Sequence, residues 1–152
     1  MSEEFIKESL TEAIYNNFGT GGCKAKALPA LSLAYIGDCI YDVVIRTILT
    51  THEGGTNNSL HKKSSAIVKA QSQAALMDAI EEDLSQEELA IFKHGRNAKN
   101  SSSAKNASIV AYRKATGLEA LIGYLYLEGQ FNRLCELIKI GLLKTGQMNV
   151  EE

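Results

Sequence analysis

The chain has a single proline, Pro29, and no tryptophan among its 152 residues. No stretch alternates apolar and polar residues in the manner of a β-strand, and no internal repeat is present. With 45% hydrophobic and 22% charged residues, a compact helical protein fits this composition, and the length suits one domain, residues 1–152, with a real core. Cysteine is scarce as well: Cys23, Cys39 and Cys135 are widely spaced, with no C-x-x-C pair and no adjoining histidine pattern. That argues against a zinc site or a disulfide framework and for a reducing compartment. Cys39 and Cys135 fall within apolar helical stripes and read as small core residues. No apolar run approaches the ~18 residues of a membrane span. The N-terminal MSEEFIKESLTEAI lacks the basic start and apolar run of a signal peptide. The expected location is the cytoplasm, with no membrane partner.

Acid is missing from two intervals. Between Glu88 and Glu119 no Asp or Glu occurs, while Lys93, Arg96, Lys99, Lys105, Arg113 and Lys114 do, with His94. Between Glu53 and Asp78 the same holds, with Lys62, Lys63, Lys69 and His61. A net charge of −2 therefore conceals a basic patch, for which a polyanion is the natural partner. An ordinary solvated face, balanced from elsewhere in the fold, is the alternative.

What is present is a helix with an acid in its middle. In LSLAYIGDCIYD and the residues after it, Leu33, Ile36, Ile40, Val43, Val44 and Ile48 recur at helical spacing. Asp38 shares a face with Leu31, Ala34, Asp42 and Ile45, mostly small or apolar, where an unpaired charge is costly. A second stretch, TGLEALIGYL, holds one carboxylate, Glu119, among Gly117, Ala120 and Gly123. Small residues in both helices allow a close crossing that brings Asp38 and Glu119 together, with a metal ion as one candidate partner. Isolated, partly exposed acids, or acids neutralised by a buried Lys or Arg, are the alternative.

The periodicity predicts an all-α chain of six or seven helices. The first covers about residues 2–17, with Phe5, Leu10, Ile14 and Tyr15 inward, and is ended by the glycines of residues 18–22. The second runs from Pro29 to about Thr50. After a Gly/Asn-rich loop, one long helix is expected over residues 59–80, stopped by Glu81, Glu82 and Asp83 at its unfavourable C-terminal end. Ser85 and Glu88 form a capping box for a short helix through Phe92. Residues 94–106 read as a mobile polar loop suited to phosphate contacts or to a linker. A long helix from Ala107 to Leu127, ended by Gly129, and a last one over residues 130–144 complete the chain.

These motifs resemble the ribonuclease III family. LSLAYIGDCIYD is similar to its signature helix, and TGLEALIGYLYLEG to its second acidic helix. The order ALSLAYIGDCIYDVVIR, KAQSQAALM, HGRNAKN, YRKATGLEALIGYLYLEG, over residues 28–143, is similar to the short bacterial branch, Mini-ribonuclease III. The resemblance implies a ribonuclease III endonuclease-domain helical bundle that dimerises, a homodimer cutting one phosphodiester on each strand of double-stranded RNA to leave 5′-phosphates. It identifies Asp38 and Glu119 as catalytic and metal-binding residues, with Mg²⁺ as the cofactor, an ion that prefers oxygen ligands and keeps several waters. It implies maturation of the precursor of large (23S) ribosomal RNA, with a ribosomal protein as a candidate helper. An RNA-binding domain is not expected, so affinity falls to the nuclease surface, where Arg96, Asn97, Lys99, Lys105, Asn106 and Arg113 are the candidate RNA contacts. Where the larger enzymes carry further acids before these two, this chain has Leu31, Ala34 and Thr116.

Overall fold

A computed structural model describes residues 7–98 and 108–149. Seven α-helices form among them: α1 (Leu10–Phe18), α2 (Ala30–Ile48), α3 (Asn57–Val68), α4 (Ala70–Ile80), α5 (Gln86–Asn97), α6 (Ile109–Leu127) and α7 (Phe131–Thr145). No strand occurs among the described residues, and no helix is long and apolar enough to cross a membrane.

The core is organised around α6. From Ala115 to Leu125 every residue except Glu119 is buried, as expected of a helix apolar on all sides. It packs most extensively against α2, then against α5 and α4, and α7 closes over α4. Tyr41, Ile45, Leu76, Ile80, Leu121, Leu125 and Leu137 are fully buried at this junction.

Local signals set several boundaries. Ser85 accepts from the Glu88 amide and Glu88 returns a bond to the Ser85 amide, which starts α5. The same reciprocal pair, Ser9 and Glu12, starts α1 at Leu10, eight residues later than the sequence pattern suggests. α2 ends in a wide π-turn, Leu49–Glu53, closed by Gly54 at φ 65°.

The expected single helix over residues 59–80 is instead two helices, broken at Lys69, whose backbone is extended (φ −66°, ψ 154°). On one continuous wheel, Leu76 and Ile80 would point to the opposite side from Leu60 and Ile67. The break turns both apolar sets inward, and the Ser72 hydroxyl satisfies the Ala66 carbonyl (2.6 Å) exposed by it.

Three further expectations are corrected. α5 continues past Phe92 to Asn97, so His94, Gly95, Arg96 and Asn97 are helical rather than loop; the cause is Gly95, buried where a Cβ would lie 2.6 Å from that of Ala120. Cys39 and Cys135 are exposed. Leu10 and Ile14 of α1 do not face inward: they are exposed, as is Phe18, and Thr11 is the helix's one buried residue.

Candidate active site

The two lone acids meet because two backbones touch. A Cβ built on Gly37 would lie 1.7 Å from the Glu119 carbonyl oxygen, and one on Gly123 would lie 2.0 Å from the Leu33 carbonyl oxygen. Only glycine permits α2 and α6 to approach this closely. Asp38 directly follows Gly37, so an approach onto the Glu119 backbone carries its carboxylate to that of Glu119.

Both acids line an open cleft of about 490 Å³, together with Leu31, Ala34, Tyr35, Ile36, Cys39, Tyr112 and Thr116. Asp38 is exposed, contrary to the expectation of a buried carboxylate, and Glu119 is the half-buried member. Burial pushes the Glu119 carboxyl up to about 8, assisted by a hydrogen bond to Asp38 and by that residue's negative charge. Two carboxyl groups in one place favour a shared proton or a cation between them. No Lys, Arg or His lines the cleft among the described residues. No group of three or more His, Cys, Asp or Glu side chains suited to a metal occurs among them either, so the protein offers two oxygen-donor side chains here. Leu31, Ala34 and Thr116, the three departures from the larger enzymes' pattern, all stand in the wall of this cleft.

The candidate RNA contacts lie outside the lining. Arg96 is half-buried in the last turn of α5, its guanidinium 5.5 Å from the centroid of the Phe92 ring, and its Nε donates to Asn97 Oδ1 (3.2 Å). Asn97 and Arg113 are exposed. Lys99, Lys105 and Asn106 lie outside the described residues. Within the wider basic patch, Lys63 is paired with Glu53 (2.8 Å) and Lys114 with Asp78 (2.7 Å). Those two charges are partly offset by acids from other parts of the fold.

Tyr35, Cys39 and Tyr112 were not singled out as site residues from the sequence, although the signal for Tyr112 was there: Tyr112, Thr116 and Glu119 stand at i, i+4 and i+7 on one helical face. Around the site the fold is braced by ion pairs. Arg133 of α7 grips Glu88 (2.9 Å) and also bonds Glu136 and the Asp83 carbonyl. Glu87 accepts from Tyr124 (2.9 Å) and pairs with Lys26.

A family model described as Ribonuclease III domain matches residues 31–130. Mini-ribonuclease 3 of Clostridium tetani is 43% identical over 141 residues, 92% of this chain and 83% of that protein. Mini-ribonuclease 3 of Enterococcus faecalis is 45% identical over 126 residues, 82% and 96% of the two chains. A crystal structure of a Fusobacterium nucleatum protein superposes with a TM-score of 0.71 at 30% identity, covering 80% of this chain and 96% of the other. On these grounds, together with the paired acids in their cleft, the chain belongs to the ribonuclease III family, in its Mini-ribonuclease 3 branch, and is an endoribonuclease.

Proposed function

We propose that this endoribonuclease of double-stranded RNA holds Mg²⁺ with Asp38 and Glu119 and cuts one strand per subunit of a homodimer. The observation that carries the reading is the contact of these two carboxyl groups in an open cleft without a cationic side chain in its lining. Two hard oxygen donors fit Mg²⁺, which keeps waters and takes its other ligands from substrate phosphate. When bound, Mg²⁺ supplies Lewis-acid polarisation of a phosphate oxygen and a more acidic water. The chain's own part is to hold the two carboxylates at a distance set by Gly37 and to leave the cleft open on the RNA side.

The homodimer follows from the chemistry: one acid pair cuts one strand, so two-strand cleavage needs two pairs related by a two-fold axis. Tyr41, one of the residues expected at a subunit interface, is fully buried within the subunit. The apolar surface that α2 leaves open is Tyr35, 84% exposed, with Leu31 one turn before it, and this is the surface we assign to the dimer. Arg96, Asn97, Arg113, Lys99, Lys105 and Asn106 supply phosphate contacts. Membership of the short branch supports precursor 23S ribosomal RNA in the cytoplasm as the substrate, with a ribosomal protein as helper.

The test is cleavage of precursor ribosomal RNA and of a plain RNA duplex by wild type and Asp38→Asn, with Mg²⁺ and with chelator. Wild type is expected to cut only with the metal. Asp38→Asn is expected to fold, bind RNA and leave it intact. Near-normal turnover by Asp38→Asn sinks the assignment of the site.

A further inference from the structure

We propose that the Tyr112 hydroxyl is a substrate contact, a neutral hydrogen-bond donor to a non-bridging oxygen of the RNA phosphodiester lying beside Asp38 and Glu119; this rests on the reading of those two acids as the cleavage site. A phosphodiester entering the cleft brings negative charge to a place that already holds two acids. The described lining offers it no Lys, Arg or His. Its side-chain donors are the hydroxyls of Tyr35, Tyr112 and Thr116 and the thiol of Cys39.

Three of these four are poorly suited. The Thr116 hydroxyl spends its proton on the Tyr112 carbonyl (3.1 Å). A thiol is a weak donor. Tyr35 is 84% exposed, so holding its ring in one place sacrifices rotamer freedom. Tyr112 differs on each count. Its ring is half-buried against the wall of the cleft, and it stands on the face of α6 that carries Thr116 and Glu119, so the helix holds it in register with the acid pair.

The nature of the substrate selects the hydroxyl over the ring. Bases in a duplex are stacked inside, and double-stranded RNA is recognised through its shape, its phosphates and its 2′-hydroxyls. A phenol meets a phosphate oxygen without introducing a positive charge that would compete with Mg²⁺ for Asp38 and Glu119. The contact therefore differs in kind from those of Arg96 or Arg113: it adds a hydrogen bond but neutralises no phosphate.

The experiment is Tyr112→Phe in the full chain, which keeps the ring and removes only the hydroxyl, with Asp38→Asn alongside. Duplex RNA cleavage, the Mg²⁺ concentration for half-maximal activity, the salt dependence of RNA binding and the melting temperature are measured for each. For Tyr112→Phe, kcat/KM is expected to fall about ten- to a hundredfold, the loss typical of a hydrogen bond to a charged group. Its melting temperature, its Mg²⁺ requirement and its salt slope should match wild type, because a neutral donor releases no counterion. An unchanged kcat/KM overturns the proposal, and so does a fall that comes with a lower melting temperature or a higher Mg²⁺ requirement. If Asp38→Asn cleaves normally, the reading of the site itself has failed; if it is inactive while Tyr112→Phe behaves as wild type, only the role of Tyr112 has.

Discussion

Gly37 lies against the backbone of Glu119 so closely that a Cβ at position 37 would sit 1.7 Å from the Glu119 carbonyl oxygen and 2.6 Å from its carbon. Neither atom is the end of a flexible side chain, so nothing local can yield to a methyl group. For Gly37→Ala, α2 and α6 must part, with a loss of about 3 kcal/mol or more from overpacking at this crossing. Urea unfolding measures that loss. Cleavage should fail even at temperatures where the variant is still folded, because the two carboxylates move apart together with the helices. A variant with full stability and activity would show that this contact does not position the acids.

Tyr35 tests the dimer. Its ring is 84% exposed and Leu31 is exposed beside it, so placing a charge there leaves the subunit's own core untouched. Tyr35→Asp is expected to give a monomer by light scattering at micromolar concentration, with a melting temperature that no longer depends on protein concentration. Wild type that is itself monomeric under those conditions would remove the dimer from the proposed function.

Arg96 separates RNA affinity from stability. Because its guanidinium rests over the Phe92 ring at 5.5 Å, Arg96→Ala should lose about 0.5–1 kcal/mol of stability. This differs from the negligible change expected of a residue in a solvated loop. If it also meets a phosphate, affinity for duplex RNA falls alike across sequences, and the slope of log K against log salt flattens by roughly 0.7 to 0.9. An unchanged slope would confine Arg96 to packing.

Glu88 predicts a pH dependence. Hydrogen bonds from Arg133 hold its carboxyl below the usual range, aided by the Ser85 amide and opposed by burial. A carboxylate whose folded pKa is depressed adds stability above its unfolded pKa, about 4.3, and that contribution is lost as pH falls through the folded value. Wild type should therefore lose stability below about pH 4 more steeply than Glu88→Gln, when the melting temperature is followed from pH 7 to pH 3. At pH 7 the variant should be less stable by about 2–4 kcal/mol, since Arg133 is left without its buried partner. Parallel pH profiles for the two proteins would contradict the ion pair's contribution.

Much of the architecture is written locally. Ser85 and Glu88 start α5 through their own side chains, and Gly129 follows the end of α6 at φ 73°. Such signals act within a turn or two, so a reader of the chain can find them. The acids were legible for the same reason: Asp38 and Glu119 each stand alone in an apolar helix beside glycine, a pattern visible without knowing what either helix meets.

Other features depend on which faces meet. Nothing near Lys69 announces a break; the need for it appears only when Leu60 and Ile67 must face the same core as Leu76 and Ile80. The helical state of Gly95 and Arg96 comes from α6, because a stretch of Gly, Arg and Asn has little helix preference of its own until Gly95 is pressed against Ala120. Tyr41 and Tyr35 lie on one helix with similar apolar neighbours, yet one is fully buried and the other 84% exposed. The sequence by itself determined that two acids would stand on two close-packing helices. Which tyrosines share their cleft, and which apolar side chains remain outside for another subunit, was decided by the crossing of α2 and α6, since burial is a property of the assembled faces and not of any residue's own spacing.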